Sequence, residues 1–534
     1  MRLKLSLMGA AAAVVCALLG ALAGTAAATV YGGKPTCVQS RLLCQEVSDP
    51  NSAFGSTYVG HDEPSNLFYS NQPGSGNRMR YVLTLPKDPP PTPITGRSYN
   101  FMLHPAFWFG MAMCDSQSYP EQLPSCTPDS DTNIAPLERH AGTAFMELQF
   151  YPPGWVQQFN GSSCDATSWC AALNIDSLAQ DPIKGTNLNL GCQGKIGGVE
   201  YVNFAYLTRS GKPQGPPDPL NFDPVESGMP DPAKALFMRS GDKLVVTLHD
   251  TAHGLETTVQ DLTTHQTGSM TTSAANGFAQ IKYAPHGDEC TALPYDFHPM
   301  YSSASPKTRV PWAAHSYNIA FADEIGHFDW CSSVDVLSVS CKGLEGQPGI
   351  DQEPADADDQ DCFPDSAATL VKVGGCPGTN APGFDGASYQ ADWPDGNTSL
   401  HPTPIVFTSP RTGSGYNVNY SQSAFETDTP RIEGDDLGGS CSRFTGIGCT
   451  LLPPTDEGKA VSFYPFFSST GSSGGSRCQW LIGNDVPGLT ANDYGKTNQY
   501  GALLSQNYLI FGGHGASRIR YNDYRSTPSG NPCT

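Results

Sequence analysis

Polar and apolar side chains alternate in the segment FMELQFY, residues 145–151. In the strand that this pattern predicts, Glu147, Gln149 and Tyr151 follow one another at steps of ~7 Å along one face. A carboxylate, an amide and a phenol in such a row suit the hydroxyl groups of a sugar or the wall of a catalytic cleft. A half-exposed strand with a solvated outer face has the same pattern, so both interpretations stay open at this point.

Hydrolysis of a glycan needs a second carboxylate within ~5–10 Å of the first, one acting as acid and the other as base or nucleophile. In this hypothesis Glu147 is the general acid or base, and Gln149 orients water or substrate. Asp323 and Glu324 in the stretch AFADEIGHFDW are candidates for the second carboxylate, and Asp250 after VVTLH is another.

Two tryptophans stand beside Gly, Pro and Asp in segments typical of turns, namely Trp155 and Trp393. We expect them to be exposed and able to stack on the apolar face of a sugar. Tyr151 and Trp155 would then line the cleft beside Glu147.

Histidines are concentrated in one region, where four of the chain's 12 lie between residues 286 and 327. They are His286, His298, His315 and His327. A zinc or copper site is one interpretation, because histidine is the commonest metal ligand. No HExxH motif occurs, and histidines in loops also serve as structural hydrogen-bonding groups.

One acidic run, DQEPADADDQD, interrupts the strand-like segments at residues 351–361. Its aspartates are Asp351, Asp356, Asp358, Asp359 and Asp361. Closely spaced carboxylates can supply part of the shell of 6–8 oxygens that calcium takes. A structural calcium loop and a solvated acidic linker both fit this segment. No cofactor is certain from the sequence, and structural calcium is the first candidate, ahead of a transition metal.

The balance of charge excludes one class of partner. The formal net charge is -21 and no basic patch occurs, so the surface would repel nucleic acid. The expected partner is an extracellular polymer or glycan, and the protein is expected to be a monomer without membrane insertion.

The N-terminal residues have the features of a secretory signal peptide. Arg2 and Lys4 precede an apolar run, and the small residues 26–28 form a cleavage site. Removing residues 1–28 also removes Cys16, which leaves 16 of the 17 cysteines. An even number in an exported chain predicts disulfides. Close pairs such as Cys164 and Cys170 predict local loops, and Cys533 is expected to hold the C-terminal tail.

Short apolar or alternating runs between turn residues predict an all-β fold, an antiparallel sandwich or jelly roll. With 56 Gly and 45 Pro, helix is expected only in short stretches such as 177–181 and 232–237. The predicted organisation is a β-sandwich domain over 29–345 and an acidic linker or calcium loop over 346–365. Residues 366–534 would form a second β-rich domain, or an extension packed on the first.

A strand, a turn, a strand and a third strand are predicted in residues 241–271, GDKLVVTLHD…TTVQDLTTHQTGSMT. This segment resembles a hairpin of concanavalin-like jelly rolls, including the glutamic peptidases. In those enzymes a Glu and a Gln on the concave face activate water. Glu147 and Gln149 have these residue types, but they lie on one strand rather than two.

Three further segments, HPAFWFGMAMCDSQSYP, WCAALNID and AFADEIGHFDWC, are similar to a family of secreted proteins of actinobacteria and fungi. That family brings no activity to carry over.

The sequence therefore predicts a secreted hydrolase that acts on an extracellular polymer, a glycan ahead of a peptide. One alternative is a non-catalytic extracellular carbohydrate-binding or surface protein. The other is a metal-dependent enzyme that uses the histidine-rich region 286–327.

Overall fold

The computed structural model describes about half of the chain. These residues are 65–70, 72–87, 107–118, 143–151, 164–165, 167–181, 186–196, 200–299, 313–316, 334–335, 340–341, 344–345, 353–354, 403–428, 466–470, 478–483, 492–494, 503–509, 516–525 and 529–534. Within these ranges the helical elements are two short 3-10 turns, Ser75–Asn77 and Ala274–Asn276. Every other regular element there is a strand.

The strands before residue 300 are β1 (Ser65–Tyr69), β2 (Arg78–Thr84), β3 (Phe107–Cys114), β4 (Thr143–Tyr151), β5 (Cys170–Leu178), β6 (Gln180–Asp181), β7 (Thr186–Asn187), β8 (Glu200–Tyr206), β9 (Lys243–Thr251), β10 (Gly254–Asp261), β11 (Thr267–Thr271), β12 (Ala279–Ile281) and β13 (Ala292–Pro294). The later strands are β14 (Ala313–Ser316), β15 (Val334–Asp335), β16 (Ser340–Cys341), β17 (Leu344–Glu345), β18 (Glu353–Pro354), β19 (Ile405–Thr408), β20 (Arg411–Thr412), β21 (Val418–Asn419), β22 (Gln422–Asp428), β23 (Phe466–Ser469), β24 (Gln479–Gly483), β25 (Asn492–Tyr494), β26 (Leu503–Leu509), β27 (Ala516–Arg525) and β28 (Ser529–Gly530).

Two large antiparallel sheets organise these strands. The first has the order β26-β27-β22-β1-β14-β3-β4-β5-β8, with β28 on β22. The second has the order β11-β10-β9-β2-β19-β24-β23-β25, with β20 on β2 and β21 on β20. Four two-stranded ribbons, β6-β7, β12-β13, β15-β16 and β17-β18, complete the described strands.

Residues of both large sheets share one hydrophobic core. The ring of Phe109, on β3 of the first sheet, lies 4.7 Å from that of Tyr81 and 5.4 Å from that of Phe407, both on the second sheet. Each fully buried side chain of this size contributes about 1.5–3 kcal/mol. The all-β, antiparallel prediction is confirmed, whereas its finer form as a sandwich or jelly roll stays a prediction.

The predicted strands in residues 241–271 are confirmed as β9, β10 and β11. The expectation of helix at 177–181 is wrong. Ser177 and Leu178 end β5, where they pair with Tyr201 and Glu200 of β8, and residues 180–181 form β6. Sheet pairing with a distant strand outweighs a weak local preference for helix. The segment 232–237 is likewise not helical, since it has a turn at 232–234 followed by the bridge residue Ala235.

Strands from the last third of the chain pair with strands from its beginning. β22 pairs with β1 through Leu67 and Ala424, and β19 pairs with β2 through Leu83 and Phe407. Most of the predicted linker 346–365 lies outside the described residues, and the domain boundaries stay a prediction.

Three disulfides join described cysteines: Cys164–Cys170, Cys192–Cys290 and Cys478–Cys533. The first is one of the predicted local pairs, and the third confirms that Cys533 holds the tail. Cys192–Cys290 was not predicted, since 98 residues separate its cysteines. Across the described ranges, no helix has the length and apolar character needed to cross a membrane.

Candidate functional site

The two faces of β4 are both buried, although their chemistry differs. Met146, Leu148 and Phe150 lie in the core shared by the two sheets. On the other face, Glu147 is 8% exposed and Gln149 is 3% exposed. The interpretation of this segment as a half-exposed strand with a solvated outer face is therefore wrong.

A chain of hydrogen bonds runs along this polar face of β4. The Tyr151 hydroxyl donates to Gln149 Oε1, and Gln149 Nε2 donates to Glu147 Oε2 at 2.7 Å. Because a buried polar group without a partner is costly, this pairing makes burial of the three side chains tolerable. This row of hydrogen bonds reaches the carboxylate of Glu147 and holds it in place.

The neighbouring strand β5 adds a second carboxylate to the same face. Asn174 lies directly opposite Glu147, and Asp176 lies opposite Phe145. Asn174 Nδ2 donates to Asp176 Oδ2 at 2.8 Å. Both β5 side chains are partly exposed, so this edge of the polar face is the one that water reaches.

In β3, which flanks β4 on the edge opposite to β5, a glycine makes room for two aromatic rings. Gly110 of β3 lies directly opposite Glu147. A Cβ atom at Gly110 would come within 2.3 Å of the Met146 carbonyl oxygen and 2.7 Å of a Trp108 ring carbon. Trp108 and Phe145 meet edge to face above it, with ring centroids 5.2 Å apart. The two rings therefore fill the space above Gly110, directly opposite Glu147 in the register.

Aromatic side chains from β8 cover the end of the hydrogen-bonded row. The Tyr151 ring lies 6.3 Å from that of Tyr206 and 6.5 Å from that of Phe204. Burial raises the pKa of Tyr151 well above its usual value, and the charges of Tyr206, Glu147 and Asp176 add to the shift. The phenol consequently stays protonated and remains a hydrogen-bond donor to Gln149.

The sequence analysis missed Asn174 and Asp176. The signal was present in CAALNIDSL, in which the two polar residues share a parity. What the sequence did not provide was the pairing of β5 with β4, or the register that sets Asn174 against Glu147.

Several predicted site residues lie outside the described residues. These are Asp323, Glu324, Trp155, Trp393, His327 and the five calcium candidates Asp351, Asp356, Asp358, Asp359 and Asp361. His315 is placed by its backbone alone. It pairs with Trp108, which pairs with Gln149, so His315 belongs to the cross-strand row that contains Gln149.

Two of the described histidines, His253 and His298, each lie beside an aspartate. His298 Nδ1 lies 2.9 Å from Asp250 Oδ1, and His253 Nδ1 lies 3.8 Å from Asp296 Oδ2. His286 is exposed. In the part of the chain that the structure describes, no group of three His, Cys, Asp or Glu side chains is placed to hold a metal ion. Asp250, which was a candidate second carboxylate, orients His298.

Another carboxyl pair, Asp242 and Asp261, joins the two ends of the β9–β10 hairpin. The two groups hydrogen-bond to each other. Asp242 accepts from the backbone N–H of Arg239 at 2.7 Å, and Asp261 accepts from the Thr264 hydroxyl at 2.6 Å. Each carboxyl group thus holds a turn. Both residues are buried, at 4% and 0% exposure.

A third buried carboxyl group, Asp115, follows β3. It accepts hydrogen bonds from the Tyr201 hydroxyl, from Gln280 Nε2 at 2.7 Å, and from the backbone N–H groups of Gln117 and Ser118. Burial is the largest influence and raises the pKa of Asp115, although the hydrogen bonds from Tyr201, Gln117 and Ser118 oppose the shift. The group is fully buried and joins β3, β8 and β12.

No protein-family model matches the chain, and no curated protein matches it. Among solved structures it is similar to the enzymatically active domain of tailspike protein 2 of bacteriophage CBA120. The identity is 10% and the TM-score 0.16, over 47% of this chain and 20% of that one. The chain thus matches about a fifth of the tailspike chain's length, and a similarity this low indicates neither a shared fold nor a shared function.

Proposed function

We propose that the protein is a secreted hydrolase that cleaves an extracellular glycan at the Glu147–Asp176 site. The observation that carries the proposal is the placement of two carboxylates on one face of neighbouring strands, in register positions set by Glu147 and Asn174. Glycoside hydrolysis uses two carboxyl groups that flank the scissile bond.

The side chains around the pair suit the same chemistry. Gln149 positions the carboxylate of Glu147, and Tyr151 positions Gln149. Asn174 positions Asp176 and presents an amide at the partly exposed edge of the site. Carboxylates and amides together form hydrogen bonds with sugar hydroxyl groups as donors and acceptors.

A peptide substrate is less well supported. The glutamic-peptidase mechanism uses a Glu and a Gln to activate water, whereas here Gln149 is bonded to Glu147 itself. A second carboxylate gives the acid and the base that a glycosidic bond requires. Secretion is supported by the disulfides among the described residues, because disulfides persist in oxidising compartments. Calcium binding by the acidic run 351–361 stays a prediction.

The test compares the wild-type full chain with two isosteric variants of the site and one isosteric control variant. Wild type, Glu147→Gln and Asp176→Asn are incubated with xylan, cellulose, chitin, starch and β-1,3-glucan, and released reducing ends are measured. Loss of a general acid or base should lower the initial rate by about 10²–10⁴-fold. Glu226→Gln, which changes an exposed loop carboxylate, should keep the wild-type rate. Equal rates in all four proteins would contradict the proposed site.

A second candidate function, a non-catalytic glycan-binding protein, is favoured by the burial of Glu147, Gln149 and Tyr151. Its hydrogen-bonded row would then serve to hold the sheet, and the exposed edge would hold the ligand. Co-sedimentation with insoluble cellulose or chitin separates the two. A binding protein would sediment in the wild-type and Glu147→Gln forms alike and would release no reducing ends.

A further inference from the structure

Three arginines lie on the face of the second sheet that points away from the shared core. Buried core residues alternate along β2 with Arg78 and Arg80, so the two arginines point to the opposite side. Arg411 of β20 pairs directly with Arg80 and therefore shares this side. Arg80 is exposed, and the other two are partly exposed. Together they form what we call the arginine cluster.

No carboxylate of the described residues neutralises the arginine cluster. The ion pairs among those residues involve none of its three members. On β2, β9, β10, β11 and β20 the one carboxylate on this face is Glu256, which is separated from Arg78 by His249 in the register. In a chain with 51 acidic and 30 basic residues, three arginines without an acidic partner depart from the general balance of charge.

The opposition of Arg80 and Arg411 does not serve stability. Like charges directly opposite one another in a sheet are destabilising. Asn419 Oδ1 accepts a hydrogen bond from Arg411 Nε at 3.2 Å, which orients the guanidinium group. Its two terminal amino groups make no hydrogen bond to any residue in the described ranges. The pair thus presents positive charge and oriented donors to solvent.

The sequence analysis found no basic patch because Arg411 comes from a distant part of the chain. Pairing of β20 with β2 brings it beside Arg80. No run of basic residues marks this surface in the sequence.

Hydroxyl groups continue the cross-strand row from Arg80. The register sets Thr247 of β9 opposite Arg80, followed by Thr258 of β10 and Ser269 of β11. All three are partly exposed. Hydroxyl groups donate and accept hydrogen bonds, and therefore suit the hydroxyl groups of a sugar.

The composition of this face decides between kinds of anionic partner. Surfaces that bind membranes combine basic with large apolar side chains, and the large exposed apolar side chains of the described residues lie outside β2, β9, β10, β11 and β20. A net charge of -21 opposes the dense charge of nucleic acid. Arginine binds carboxylates through two parallel hydrogen bonds, and sugar units that carry carboxylates combine this charge with hydroxyl groups.

We infer that the arginine cluster is a binding surface for an acidic polysaccharide, whose uronic-acid carboxylates bind Arg80 and Arg411. The inference does not depend on hydrolysis at Glu147. Met146 and Leu148 on the opposite face of β4 lie in the shared core, so Glu147 and the arginine cluster lie on separate surfaces.

The experiment measures binding of the full chain to immobilised polygalacturonate by biolayer interferometry. The methyl ester of the same polymer, which has no charge, is the matched probe. We expect wild type to bind polygalacturonate and not its ester, and to lose binding as the ionic strength rises to about 1 M. Equal binding to the two polymers, or binding to neither, would overturn the inference. So would tighter binding to dextran sulfate, duplex DNA or vesicles of anionic lipid.

A double variant assigns the binding to the arginine cluster. Arg80→Gln/Arg411→Gln should raise the Kd for polygalacturonate by about 10–100-fold, because charge-assisted hydrogen bonds are lost. Its melting temperature should equal or exceed that of wild type, since the like-charge opposition is removed.

Two control proteins accompany the double variant. Lys212→Gln/Lys282→Gln removes the same charge from exposed positions outside this face and should keep the wild-type Kd. An equal rise in Kd for both double variants would indicate an effect of net charge alone and overturn the inference. Glu147→Gln should also bind as wild type does, so failure of the proposed hydrolysis and failure of this binding surface are distinguishable.

Discussion

Asn174 lies directly opposite Glu147 and donates a hydrogen bond of 2.8 Å to Asp176, so a single amide stands between the two carboxylates of the proposed site. This relationship separates the acids by one step of the register. It also makes the site depend on side chains that carry no charge and perform no proton transfer.

The first prediction concerns the amide of Gln149. Gln149→Leu removes a hydrogen bond from the buried carboxylate of Glu147 and another from the Tyr151 hydroxyl, and should lower the free energy of unfolding by about 1–3 kcal/mol. Gln260→Leu, at an exposed strand position, is the control and should change it by less than about 0.5 kcal/mol. Urea denaturation gives both values, and equal effects would contradict the described row.

The second prediction concerns the glycine opposite Glu147. Gly110→Ala should destabilise the protein by about 1–3 kcal/mol, since the added methyl group would overlap the Met146 carbonyl and the Trp108 ring. Gly194→Ala adds the same group where no atom lies within 4 Å. The melting temperature should fall for Gly110→Ala alone. A Gly110→Ala protein as stable as wild type would show that the rings do not pack as described.

The third prediction concerns the pH dependence of stability. Since burial raises the pKa of Asp115 in the folded state, its contribution to stability is full below the unfolded pKa of about 3.9. That contribution is lost as the pH rises through the folded pKa. The free energy of unfolding of wild type minus that of Asp115→Asn should therefore decrease from about pH 4 upward. A difference that rises with pH would contradict the assigned direction.

The fourth prediction concerns the carboxyl pair Asp242 and Asp261, whose pKa values are shifted in opposite directions. Burial, followed by the charge of Asp261, raises the pKa of Asp242. For Asp261, burial works in the same direction, but hydrogen bonds from Thr264 and Thr263 outweigh it and lower the pKa.

The free energy of unfolding of Asp242→Asn should therefore rise relative to that of wild type as the pH rises from about 4. In that range wild type loses the stabilising contribution of Asp242. The free energy of unfolding of Asp261→Asn should be closest to that of wild type in acid. The stabilising contribution of Asp261 is lost as the pH falls through its folded-state pKa. Urea unfolding between pH 2.5 and 7 measures both trends. Parallel curves for the two variants would contradict the pairing.

The fifth prediction compares two disulfides. Cys192–Cys290 closes a loop across 98 residues and Cys164–Cys170 a loop across six. Loop-closure entropy predicts losses of about 5 and about 2 kcal/mol when each bridge is replaced by two alanines. Chemical denaturation under non-reducing conditions measures both. A larger loss for the short loop would rule out unfolded-state entropy as the main source of stabilisation.

The sequence reveals the faces of single strands well. Alternation separates Met146, Leu148 and Phe150 from Glu147, Gln149 and Tyr151 without any knowledge of the fold, because side chains of a strand alternate between two sides. Turn residues likewise mark the β9–β11 hairpins correctly.

What surrounds such a face depends on distant parts of the chain. Burial of Gln149 and Tyr151 comes from Trp108 on β3 and from Phe204 and Tyr206 on β8. The placement of Glu147 and Asp176 on one face of neighbouring strands depends on a register that no local pattern specifies. A polar face under aromatic cover and one in solvent therefore have the same sequence pattern.

The pairing of β1 with β22 and of β2 with β19 has a consequence for how the protein reaches its native state. Partners such as Leu67 and Ala424, or Leu83 and Phe407, are more than 300 residues apart in the chain. Contacts at such separations form slowly, because the intervening chain must be confined before they stabilise anything. The inner strands of both sheets therefore stay unpaired on one edge until the late strands have been synthesised. A ribosome-bound intermediate would have exposed edges that favour aggregation, so a chaperone that holds the nascent chain open should raise the yield more than one that promotes early collapse.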